Sequence, residues 1–290
     1  MFQAMETSPK SLILDLLSTM RRGAMPVRLL VRAGELFGIA ENSVRVALAR
    51  LLRAGLVERD ERGQYRLGES AQAVNRRVTS WARVEERLRT WDGDWVAVLA
   101  SALPRGQRAA VRKSERALWL SGFRTLEPGL SLRPDNLTGG VAELRETLAN
   151  LGLDAAVPVV RLSELDPSRD AKARCLWDAE KPTTACRGAR EAVETSARRL
   201  PRLEPDEAMV ESFRVGGRAL RAIVLDPLLP DALVPGTERR ALVEAMKRYD
   251  RMGREAWHAA LAAHGVVQLR APADTRMTDR PLAAAGGGAR

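Results

Sequence analysis

Between Ser11 and Leu67 the apolar residues change period, three helical runs being followed by two short extended ones, and few small folds accommodate that order. Leu12, Ile13, Leu16, Leu17 and Met20 recur at helical spacing, with Ser8 and Pro9 as a start signal. After Gly23, Pro26 can open a second helix whose inner face is Leu29, Leu30, Ala33, Leu36 and Phe37, stopping near Gly38. A third helix is expected over 41–54, burying Val44, Ala47, Leu48, Leu51 and Leu52 and ending at Gly55. Residues 56–59 and 64–67 then read as the strands of a hairpin with a polar tip at 60–63. Three helices and a hairpin predict a winged helix-turn-helix over residues 1–68.

The remainder alternates before turning helical. A polar stretch with the sparse stripe Ala73, Val78, Trp81, Val84 and Leu88 predicts a linker helix over 69–90. Next come a buried-strand pattern at 95–103, a helix at 108–122, a loop or short strand at 128–134, a helix at 141–150 and a strand at 156–162. That order predicts a small ferredoxin-like α+β domain over 91–167. Helical patterns at 175–199, 206–225 and 238–264 predict a helical domain over 168–270, and the low-complexity run at 283–288 predicts a disordered tail over 271–290. The expected fold class is therefore α+β, mainly helical.

Composition limits the function. The 290 residues are 45% hydrophobic and 29% charged, as in folded globular proteins. No apolar run approaches the roughly 18 residues of a membrane span, and the start lacks the long apolar core of a signal peptide, so a cytoplasmic location is expected. The net charge is +10, which favours a polyanionic partner. Residues 1–90 hold 16 Lys and Arg against 10 Asp and Glu, placing +6 of that charge in the amino-terminal part, less than a third of the chain. Arginine supplies 42 of the 47 basic residues, but the excess runs through every segment and carries no argument by itself.

The third helix has the residues a major-groove helix needs. Its amino-terminal end must be small or polar, so that backbone and side chains reach base edges; Asn42, Ser43 and Arg45 meet that need. Asparagine pairs bidentately with adenine and arginine with guanine, whereas Arg50 and Arg53 are better placed for phosphates. Arg59, Arg62 and Arg66 around the hairpin are placed for the flanking backbone or minor groove. Each arginine alone reads as a solvated surface charge, and only the constellation points to duplex DNA. A protein-binding winged-helix adaptor is the alternative use of the same fold.

Four blocks, at residues 41–67 (ENSVRVALARLLRAGLVERDERGQYRL), 91–100 (WDGDWVAVLA), 122–134 (GFRTLEPGLSLRP) and 224–235 (VLDPLLPDALVP), resemble the PaaX-like transcriptional regulators of phenylacetate catabolism in the same order. The resemblance implies a homodimeric repressor of a catabolic operon with a winged helix, a middle domain like the small CRISPR adaptation nuclease fold and a helical carboxy-terminal domain. It also implies an acyl-CoA-type effector. Ser131 stands where the family carries an aromatic residue, and Ala40 where a helix cap is usual.

Enzymatic alternatives find less support. A nuclease would need acidic residues near the end of the first middle-domain strand, which reads Leu99, Ala100, Ser101, Ala102; Asp92 and Asp94 precede that strand. His258 and His264 are six apart, not the spacing of a helical zinc pair, and Cys175 and Cys186 form no short metal-ligand motif. No catalytic residue, metal or cofactor is expected; a metal-dependent nuclease or a thioester-handling enzyme stays as the alternative reading. The six tryptophans read first as core and second as lining for an acyl pocket.

Overall fold

The computed structural model describes residues 8–19, 24–60, 63–69, 71, 80–99 and 108–263. Its first unit holds α1 (Pro9–Thr19), β1 (Met25–Pro26), α2 (Val27–Leu36), α3 (Glu41–Arg53), β2 (Val57–Arg59) and β3 (Gln64–Leu67). Ser8 caps α1, its Oγ accepting from the Ser11 amide at 3.1 Å. Leu12, Leu16, Leu30, Val44, Leu48, Leu51, Val57 and Tyr65 form one buried core shared by all three helices and the hairpin. The α2–α3 contact is close enough that a Cβ on Gly34 would lie 2.5 Å from Val44 Cγ2. Beyond α3, Gly55 adopts φ +64°, and the Leu56 amide donates back to the Leu51 carbonyl, closing the helix end.

The hairpin pairs Glu58 with Arg66 and Arg59 with Tyr65. At its turn the Gln64 amide donates to Asp60 Oδ1 at 2.8 Å. Met25 and Pro26 add a third strand beside β3, giving the order β1-β3-β2. A two-residue strand carries no alternation to read, so sequence periodicity had no means of signalling it.

The second unit follows the order β4 (Trp95–Leu99), α4 (Arg108–Leu120), β5 (Arg124–Glu127), β6 (Leu130–Pro134), α5 (Gly140–Leu151) and β7 (Val159–Leu162). All its strand pairs are antiparallel, in the order β5-β6-β4-β7. Strand β4 is central and covered on both sides, which is why it reads as a continuous apolar run. Val96 and Val98 face Ala117, Leu118, Leu144 and Leu148 of α4 and α5. Trp95 and Ala97 face Leu132, Trp177, Leu229 and Val234 on the other side. Strand β5 escaped the sequence reading because it is an edge strand in which only Leu126 is buried.

The third unit contains α6 (Pro167–Arg174), α7 (Glu180–Arg199), α8 (Pro205–Val224) and α9 (Thr237–Ala263). The single helix expected over 175–199 begins later, at Glu180, and is preceded by a separate short helix. Asp166 caps α6 by accepting from the Arg169 amide at 3.0 Å. Between the two helices Trp177 turns under the sheet, where its indole N–H donates to the Gly122 carbonyl at 3.0 Å and its ring stacks on Trp95. Helices α7, α8 and α9 pack together through Cys186, Val193, Val215, Ala219, Leu242, Met246 and Tyr249.

The linker helix expected over 69–90 is not continuous among its described residues. Residues Trp81–Arg87 form a 3-10 helix, and Leu88 continues in extended backbone to bridge Leu137. Val84 is buried against the helical unit, so this stretch is part of the core rather than a free connection. The tail expected over 271–290 lies outside the described residues.

Candidate nucleic-acid interface

Helix α3 presents one face to the core and the other to solvent. Val44, Leu48 and Leu51 are buried, whereas Asn42, Ser43, Arg45, Ala49, Arg50 and Arg53 are exposed. Five of the eight residues singled out from the sequence thus share one helix surface. At roughly 100° per residue, Asn42 and Arg53 point most directly away from the core, while Arg45 lies toward the flank that carries Glu41. Arg45 is engaged there: its Nε donates to Glu41 Oε1 at 2.7 Å, one turn earlier. Arg50 and Arg53 make no ion pair among the described residues; as basic residues in the last turn they complement the helix dipole, as Glu41 does in the first. The Ala40 cap position makes no side-chain hydrogen bond, an omission that costs about 1 kcal/mol.

The hairpin carries two more of the eight. Arg59 lies over the Tyr65 ring at 5.8 Å, and Arg66 donates from Nε to Glu58 across the strand pair at 3.0 Å. Arg62 lies outside the described residues. A shallow, open groove of about 740 Å³ separates the end of α3 from the hairpin, with Leu52, Val57, Arg59 and Arg66 among its walls.

Among the described residues, the carboxylates near the first middle-domain strand are engaged by arginines. Asp92, Asp94 and Asp135 meet at the start of β4, but Arg161 lies within 3.5 Å of all three and Arg89 pairs with Asp92 and Asp135. The Asp94 amide and both arginines hold the Asp92 carboxyl below the usual carboxylate range. Two guanidinium groups occupy the positions a divalent ion would need, and no group of three metal-ligating side chains is found among the described residues. His258 is exposed on α9, and His264 lies outside the described residues. Cys186 is buried beside Asp226, and burial together with that carboxylate pushes its thiol up to about 12, leaving a protonated, inert group. Trp95 meets Trp91 edge to face and stacks on Trp177, and Arg174 lies over the Trp91 ring at 4.8 Å.

A buried polar seam went unnoticed in the sequence. Arg133 donates to the Ser121 carbonyl at 2.6 Å and to Asn136 Oδ1 at 3.1 Å. Asn136 in turn donates to the Leu228 carbonyl at 2.8 Å. Nearby, Arg239 joins Asp226 and Glu85, tying α9 to the loop after α8 and to the 3-10 helix. Burial raises the Asp226 carboxyl even with Arg239 against it.

Residues 8–71 match the family model described as PaaX-like protein. This part of the chain is similar to that family. The matched stretch spans α1 to α3 and both hairpin strands, and so contains all eight candidate residues. The other three blocks of the resemblance lie beyond the matched residues, yet they converge in space: Gly122 abuts Pro227, and β4 separates Trp177 and Val234 from α4 and α5. No curated protein matches the chain. The solved structure of the uncharacterized protein Rv0674 from Mycobacterium tuberculosis is similar, with a TM-score of 0.54 and 22% identity over 86% of this chain and 98% of that one. At that identity the likeness is one of fold. Among the described residues no helix is long and apolar enough to cross a membrane.

Proposed function

We propose that the chain is a sequence-specific regulator of transcription that lays α3 in the major groove of double-stranded DNA. The observation that carries this reading is the outward face of α3, where Asn42, Ser43, Arg50 and Arg53 stand exposed on a rigid helix within the PaaX-like segment. In this reading residues 1–68 are a winged helix-turn-helix, and the hairpin with Arg59, Arg62 and Arg66 is the wing that grips the flanking backbone. The strand order β5-β6-β4-β7 with two helices on one face supports a ferredoxin-like middle domain over 91–167, followed by a helical domain over 168–270.

The active species is a homodimer, because two recognition helices about one helical turn of DNA apart, or a multiple of it, fit an inverted repeat. An acyl-CoA-type effector would release the dimer from DNA by favouring a geometry in which that spacing is lost. Capture of genomic fragments by the full chain, followed by elution with candidate acyl-CoA thioesters, tests target and ligand together. Enrichment of a defined palindromic fragment is expected; indiscriminate recovery of all fragments would overturn sequence-specific regulation, and recovery that no thioester reverses would overturn the effector class.

A further inference from the structure

We propose that Val46 reads thymine, by packing against the C5-methyl group that thymine alone presents in the major groove. The inference rests on the reading of α3 as a major-groove helix. Buried Val44, Leu48 and Leu51 mark the inward direction of that helix. With successive residues turned by roughly 100°, Val46 points within about 20° of directly outward, between Asn42 one turn before it and Arg53 two turns after. Its exposure agrees: at 41% it is one of the few large apolar side chains left open to solvent among the described residues.

An aliphatic group at the centre of an otherwise polar surface gains free energy when an apolar group covers it. Base edges in the major groove consist mainly of donors and acceptors; cytosine adds a small C5–H, and thymine alone offers a methyl group. Over a purine Val46 would cover polar groups without pairing them, and over cytosine it would lose the methyl contact, so discrimination against the wrong base adds to attraction for the right one. Ala49 is also exposed and sits three residues on, next to Val46 on the helix surface, so the two make a small apolar patch that can enclose a methyl from two sides. Polar Asn42 and Arg53 at either end fix the register in which that patch meets the bases.

The test uses genomic fragments captured by the full chain and amplified with either thymidine or deoxyuridine triphosphate, which differ only by that methyl. Replacing thymine by uracil should weaken binding of the wild-type chain about fourfold per half-site, the factor equivalent to about 0.8 kcal/mol for one buried methyl group. Val46→Ala should lose a similar factor on the thymine duplex and respond little to uracil, a coupling between side chain and methyl that general changes in duplex shape do not produce. Equal uracil sensitivity in both proteins, or none in the wild type, overturns the thymine contact while leaving DNA binding intact. Failure of the wild-type chain to bind any duplex at low salt overturns the DNA reading and the thymine contact with it.

Discussion

At the scale of single residues, the helix surface proposed to meet DNA is partly self-neutralised. Arg45 is held by Glu41 in an exposed pair of the kind worth roughly 0.3–0.5 kcal/mol, so its release to a guanine or phosphate costs little. Glu41 also brings a carboxylate to the edge of the same face. Glu41→Gln should therefore tighten binding to any duplex severalfold at low salt, an increase that fades as salt is raised; anisotropy titrations across a salt series read both. The two cysteines should behave oppositely. Cys175 is exposed and Cys186 buried, so a thiol reagent should modify one cysteine in the native protein and both in denaturant. Because the folded state keeps the Cys186 proton, stability should fall as pH rises from the ordinary thiol value of 9.0 toward about 12. Thermal melts of Cys186→Ala should lack that part of the alkaline decline.

At the scale of elements, α3 is aimed by its packing on α2. Gly34 allows that approach, and Gly34→Ala would force its new methyl onto Val44, at the root of the proposed recognition helix. Overpacking of about 1–3 kcal/mol set against a helix-propensity gain of about 1 kcal/mol gives a net loss near 1 kcal/mol, with weaker DNA binding because α3 must tilt. Melting curves and duplex titrations of the variant check both. Elements with strong periods, α3, α8 and α9 among them, were legible in the sequence to within a residue or two because one buried stripe repeats through several turns. Strands β1 and β5 were not, since one has two residues and the other lies at a sheet edge. The break before Glu180 was missed for a tertiary reason: helical spacing through Trp177 competes with its burial against Trp95, and burial prevails. The outward residues of α3, Val46 among them, follow from its period, but the Glu41–Arg45 pair required the geometry.

At the scale of the whole molecule, the three units share surfaces. Phe37 of the amino-terminal unit meets Phe213 of α8 edge to face, Phe213 touches Trp257 of α9, and Arg214 lies over the Phe37 ring. The helical unit thus contacts the segment leading into α3. Arg239, only 3% exposed, anchors the start of α9 to Glu85 and Asp226. Arg239→Met should cost about 3 kcal/mol, because it strands the buried Asp226 carboxylate, and Asp226→Asn in the same chain should restore part of the loss. Denaturant unfolding of the two variants measures the difference.

Sequence reading by α3 is tested most directly by competition between a captured fragment and a scrambled duplex of equal length and composition, for the full chain and for Asn42→Ala. The wild type is expected to favour the captured fragment by a ratio that collapses in the variant, while low-salt affinity for the scrambled duplex stays nearly unchanged. An undiminished preference in Asn42→Ala, or no preference in the wild type, would contradict it.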